Sequence, residues 1–97
     1  MFTVDKIEVE GRPFLGLKVE LEGLPPLLLV KGGKGFVMCG YLNIEAAERL
    51  GATAAVVSGV KSFEDVLNAE IKSATTKAKA LGLVPGKVVK TVIGAIS

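Results

Sequence analysis

The chain has 97 residues with 12 Lys and Arg against 10 Asp and Glu, a net charge of +2, one Cys and no His. Without His, a Ser-His-Asp or Cys-His pair and a His-based metal site are excluded within one chain, and a single Cys excludes an intrachain disulfide or a Cys-rich zinc site. A hydrophobic share of 49% argues against disorder and for a single domain over residues 1–97; no apolar run reaches the ~18 residues of a membrane helix, and "MFTVDKIEVE" lacks a signal-peptide pattern, so the expected location is cytoplasmic.

In chain order, "VDKIEVE" and "LGLKVELE" alternate apolar and polar residues, which predicts two half-buried strands paired as a hairpin across "GRP". On this pattern Leu15, Leu17, Val19 and Leu21 form the buried side of the second strand, and Gly16, Lys18, Glu20 and Glu22 the wet one. A register with Glu8 opposite Lys18 and Lys6 opposite Glu20 would pair opposite charges. "GLPP" breaks the chain. Residues 27–30 and 36–42 are then apolar in both phases and joined by "KGGKG", a second hairpin turn. Residues 52–57 are also apolar on both sides, so these three read as central strands covered on both faces. Asn43 as N-cap and Gly51 as stop bracket a helix over 44–50. Ser62 with Asp65 opens another helix. Ile71, Ala74, Ala78 and Leu81 predict a helix over 69–81, and Val88, Val89, Val92, Ile93 and Ile96 a last one after Pro85. The expected fold is α+β, a two-layer sandwich with a mainly antiparallel sheet of about five strands and helices packed on one face.

Three segments are candidate sites. Neither "KGGKG" nor "GLVPGKVVK" is a phosphate loop: the first runs into a strand without a hydroxyl, and the second has Val88 where Ser or Thr would hold magnesium. Cys39 has no His to activate it and apolar strand neighbours, so it reads as core packing; a thiol-dependent enzyme would need Lys34 or Lys61 to lower its pKa. Gly40 beside it suggests a close backbone approach or a bulge. In "SGVKSFED", Gly59 permits a turn, Lys61 adds charge and Ser62 caps a helix, a setting for a small anion, while Ser58 and Lys61 have the composition of a hydrolytic dyad. Thr75 and Thr76 read as solvent or packing positions. Residues 61–97 carry six Lys against three acids, a local excess of +3 that makes nucleic-acid binding the weaker alternative, with few aromatics to stack bases. No Gln and only two Asn suggest a thermophile.

"GFVMCGYLN", "GVKSFEDVLNA" and the "AKALGLVPG" ending together resemble the YunC-like family, a domain of unknown function (number 1805). Its G-[FY]-[IV]-M-C-G-x-L segment corresponds to Gly35 to Leu42, its G-V-[KR]-[ST] turn to Gly59 to Ser62, and its A-x-x-L-G-[IL]-x-x-G ending to Ala78 to Gly86. With E-G-x-P-F from Glu10 to Phe14, the likeness covers nearly the whole chain. It implies a small two-layer α+β domain, supplies no activity, and suggests that Met38-Cys39-Gly40 and Gly59-Val60-Lys61 act together, lining one cleft if both lie at one edge of the sheet.

The expected function is a non-catalytic module that self-associates, as a homodimer or larger, because strands oily on both faces exceed what its own helices cover. A small anionic ligand is expected near Met38, Cys39, Gly40, Gly59, Lys61 and Ser62. No cofactor, metal or membrane partner is expected.

Overall fold

Strands β1 (Phe2–Val9) and β2 (Arg12–Val19) close on a two-residue turn in which Glu10 (φ 51°) and Gly11 (φ 78°) both have left-handed backbone. Such a turn matches the twist of a hairpin and fixes its register. Val9 therefore faces Arg12, Lys6 faces Leu15 and Glu8 faces Pro13. The charge-paired register expected from the sequence is thus not adopted; Lys18 lies opposite Thr3 and meets Glu20 of its own chain segment at 4.0 Å. Pro13 is tolerated because β3 pairs with β2 only from Leu15 onward, so no ladder bond is lost at the proline.

The computed structural model describes residues 2–97. A loop with Gly23 in left-handed conformation leads to β3 (Leu27–Lys31). The "KGGKG" turn, closed by Gly32 N–H donating to the Gly35 carbonyl at 2.9 Å, leads to β4 (Phe36–Met38). Helix α1 (Ile44–Arg49) crosses over to β5 (Ala54–Val56), which pairs parallel to β4. Then follow α2 (Phe63–Asn68), β6 (Ser73–Ala74), α3 (Thr76–Ala80), α4 (Val89–Val92) and a 3-10 turn over Ile93–Ile96. The six strands lie side by side in chain order, antiparallel except at β4–β5. The result is the expected α+β architecture with one additional short strand. Among the described residues, no helix is long and apolar enough to cross a membrane.

That sixth strand lies inside the predicted helix 69–81. Its second half is helical as expected (α3), but residues 69–74 are not, because tertiary bonds claim their backbone: Lys72 N–H donates to Val56 O (2.8 Å), Ile71 N–H to Lys87 O (2.9 Å) and Val89 N–H to Ala69 O (2.9 Å). Helical spacing of apolar residues cannot outweigh a ladder on both sides, and Ile71 and Thr75 are β-branched, which suits extended backbone. Of the two alternatives expected for Thr75, solvent or packing, it takes packing and is buried. Its Oγ1 accepts from Ala54 N–H (3.1 Å) across the sheet and from Ala78 N–H (3.4 Å) as the cap of α3.

Alternation sorts the sheet into two unlike faces. One carries Ile7, Phe14, Gly16, Leu28, Val30, Val37 and Ala55, and on it pack Phe63 and Val66 of α2, Ala78 of α3, Leu83, Val89 of α4, Ile93 and Ile96. Gly16 belongs to this core side, contrary to the reading of β2: a Cβ there would come within 2.5 Å of Ile7 Cδ1 and 2.9 Å of the Phe63 ring, so the missing side chain is what seats the phenyl group on the sheet. The opposite face is ordered in rows by the register. Row one is Phe2–Val19–Leu27, row two Val4–Leu17–Leu29–Met38, and row three Lys6–Leu15–Lys31–Phe36. Helix α1 packs on β5, where Ala47, Ala54 and Val56 are buried apart from the main core. Over β1 and β2 the face stays open: Phe2 is 63% exposed, Val4 50% and Leu15 43%. The alternation was right and the assignment of its sides was inverted, since leucines line the uncovered side and Phe14 with Gly16 the covered one.

Candidate functional site: a cleft at the carboxyl ends of β4 and β5

Strand β4 ends at Met38, earlier than the expected limit of residue 42, because Leu42 N–H turns back to donate to Cys39 O at 3.2 Å. Beside it β5 stops at Val56; Val57 N–H still donates to Met38 O (2.9 Å), so both chains leave the sheet at the same edge. Parallel neighbours joined by a helix leave a crevice at their carboxyl ends. Here it is a cleft of about 300 Å³ bounded by three segments: Pro25–Pro26, Cys39–Tyr41 and Ser58–Lys61.

Each wall has a local cause. The two prolines hold the first wall extended and remove two backbone donors from it. The phenol of Tyr41 donates to Pro25 O at 2.8 Å, tying the second wall to the first. Cys39 is buried; its Sγ accepts from Leu28 N–H at 3.3 Å and its thiol lies 4.0 Å from Pro26 O, so its hydrogen-bonding partners are backbone groups at the start of β3 and just before it. Gly59 has φ +71°, a left-handed turn that aims the third wall back toward the second. Gly40, by contrast, has open space where a Cβ would be, so neither a close backbone approach nor a bulge explains it.

Four of the six residues expected at a ligand site therefore meet here: Cys39, Gly40, Gly59 and Lys61. Met38 and Ser62 lie outside the cleft. Met38 stands in row two of the open sheet face. Ser62 is spent on the helix: its Oγ accepts from Asp65 N–H (3.1 Å) while the Asp65 carboxylate accepts from Lys61 N–H (3.0 Å). Two acids, Glu64 and Asp65, occupy the first turn of that six-residue helix, which opposes an anion at the helix start and leaves the Lys61 side chain as the attraction. Ser58 shares the cleft with Lys61, but no hydrogen bond joins them among the described residues. No group of three or more potential metal ligands occurs among the described residues. The Pro25–Pro26 wall was missed by sequence reading, where "GLPP" registered only as a break; two consecutive prolines before a buried strand are the signal that was there.

The lining is mainly apolar, with Lys61 as its cation and the Ser58 hydroxyl as its free polar group. Lys61 is exposed and has no carboxylate within ion-pair distance among the described residues. It also borders a second, more open depression formed by Lys18, Glu20 and the loop to Pro26. The family model described as a domain of unknown function, DUF1805, matches residues 38–96, a span that contains two of the three cleft walls. The chain belongs to the DUF1805 family. It is 30% identical over 90 residues to the uncharacterized protein YunC of Bacillus subtilis (strain 168), an alignment covering 89% of this chain and 88% of YunC. It is also similar to a solved structure, a protein of unknown function, TA1206, from Thermoplasma acidophilum: 40% identity, TM-score 0.94, all of this chain and 94% of that one. The family segments around Met38-Cys39-Gly40 and Gly59-Val60-Lys61 are thus brought to one sheet edge in this member.

Proposed function

We propose that this DUF1805 member is a non-catalytic binding module whose ligand is a small organic anion, a carboxylate with a short apolar body, held in the cleft between Cys39–Tyr41 and Ser58–Lys61. The observation that carries the reading is an apolar-walled cleft of about 300 Å³ with an unpaired lysine at its rim. That combination matches the general pattern of small-molecule sites, where apolar walls supply contact and a few polar groups set orientation. The apolar body would rest on the prolines, Val60 and the Tyr41 ring, and the carboxylate would meet the Lys61 ammonium and the Ser58 hydroxyl. Binding is favoured over thiol chemistry because Sγ of Cys39 is engaged by backbone groups and no basic side chain bonds to it among the described residues; a nucleophilic cysteine requires a partner that stabilises its thiolate.

The test is a matched pair of probes, hexanoate and hexanol, followed by amide chemical shifts. Hexanoate is expected to perturb Gly40, Gly59 and Val60 in a saturable way, hexanol to do so more weakly, and Lys61→Gln to reduce hexanoate to the level of hexanol. An exposed charge-assisted hydrogen bond is worth about 1 kcal/mol, so the drop in affinity is roughly fivefold. Shifts confined to other surfaces, or none at millimolar hexanoate, would refute the reading.

A further inference from the structure

We infer that the hollow between the β1–β2 turn, the β3–β4 turn and α4 is a binding site separate from the cleft, and that its ligand is a small molecule with a multiply charged phosphate group. Three cations from distant parts of the chain, Arg12, Lys34 and Lys90, line this space of about 510 Å³ against one acid, Glu10. No carboxylate lies within ion-pair distance of any of the three among the described residues. A concave surface dominated by one sign of charge focuses the field, and a surplus of this size suits a ligand with more charge than a single carboxylate.

Arg12 gives the hollow its geometry. Its Nη1 donates to Ser97 Oγ at 2.9 Å and to Gly94 O at 3.4 Å, which fastens the guanidinium to the 3-10 turn. Both bonds use one nitrogen, so the Nε and Nη2 hydrogens have no protein acceptor among the described residues. Nε and Nη2 form the edge of the guanidinium that grips two phosphate oxygens side by side, and here that edge is positioned before any ligand arrives. The β3–β4 turn contributes a side chain and not a backbone cradle, because Lys34 N–H donates to Ile96 O and Gly32 N–H to Gly35 O, both at 2.9 Å. Thr91 is no donor either, since its hydroxyl donates to Val88 O at 2.6 Å. Recognition falls to one fork and two mobile ammonium groups, a set that suits the oxygens of a phosphate and not a planar base or an apolar body. A small ligand is favoured over a nucleic acid, because of the six lysines in residues 61–97 only Lys90 borders the hollow. Its cations converge from three segments instead of following one helix face.

Titration with pyrophosphate at low ionic strength, followed by amide chemical shifts, tests the site. Saturable shifts are expected at Arg12, Lys34, Thr91 and Gly94, and none there with hexanoate at the same concentration. Lys34→Gln and Lys90→Gln alter exposed side chains without internal hydrogen bonds among the described residues, so folding is expected to survive them. Each is expected to weaken pyrophosphate about fivefold, the share of one exposed charge-assisted contact. Arg12→Lys keeps the charge and removes the fork, and is expected to weaken it at least as much. Lys72→Gln, away from the hollow, is expected to leave the affinity unchanged. Lys61→Gln is expected to do the same while weakening hexanoate, which separates failure of this site from failure of the cleft. The absence of saturable shifts at millimolar pyrophosphate overturns the inference. An equal loss with Lys72→Gln overturns it too, by reducing the effect to net charge. So does an oligonucleotide that binds more tightly than pyrophosphate through lysines outside the hollow, since the surface is then a nucleic-acid contact.

Discussion

Single atoms decide much of this fold. Thr75 accepts two amides with one oxygen, from Ala54 on β5 and Ala78 on α3, while its own N–H donates to Ala54 O at 2.9 Å. Thr75→Val preserves shape but leaves a buried amide unpaired and removes a cap. Together these are expected to cost about 2 kcal/mol and to lower Tm by roughly 10 °C in a thermal melt. At Gly16 the sign is set by crowding: Gly16→Ala pushes a methyl into Ile7 and the Phe63 ring, and a loss of about 1–2 kcal/mol is expected as a lower urea midpoint at unchanged slope. Neither residue announces this in the sequence. A threonine in a helical-looking run and a glycine in an alternating strand each have a local explanation, and only the neighbour brought in by the fold supplies the real one. Cys39, Gly59 and Lys61 were legible because residue type limits their roles: a lone thiol among apolar residues, a glycine where a strand ends, a lysine in the turn after it.

At the level of elements, α1 and α3 are six and five residues long, too short to persist alone in water. They are held by each other. The Glu48 carboxylate accepts from Thr76 N–H at 2.7 Å and from Thr76 Oγ1 at 2.5 Å. The Thr76 hydroxyl, then the Thr76 amide, keep the Glu48 carboxyl below its ordinary pKa, with Lys79 assisting. A lowered pKa in the folded state means that the clamp stabilises above the usual glutamate range and is lost as pH falls through the depressed value. Wild-type protein is therefore expected to lose stability on acidification by an increment that Glu48→Gln does not show, as read from denaturant midpoints at neutral pH and at pH below the glutamate range. The caps of α1 and α2 could be read directly, since Asn43 and Ser62 each accept from the amide three residues on. The stretch 69–81 could be read only in its second half, where α3 (Thr76–Ala80) stands as the period predicts, and not in its first. Its helical period is genuine, but the ladder bonds to Val56 and Lys87 come from segments far along the chain, and no local pattern encodes them.

For the molecule as a whole, the strand order follows the chain order, which is why a pass along the sequence recovered the sheet almost strand for strand. What it missed was which side of β2 the helices cover. Alternation defines two faces without ranking them, and four leucine-phase positions outweigh a Phe14–Gly16 pair on any count of hydrophobicity. The helical layer also has a consequence in time. The sheet comes mainly from the first 56 residues, whereas much of its cover, Leu83, Val89, Ile93 and Ile96, all fully buried, comes from the last fifteen. Ile96 is fastened back near the middle of the sheet, its carbonyl accepting from Lys34 N–H at 2.9 Å. The sheet is therefore made before its lid, and until residues 83–96 emerge the side of Leu28, Val30 and Val37 stays greasy and bare, the kind of surface that chaperones and proteases seize.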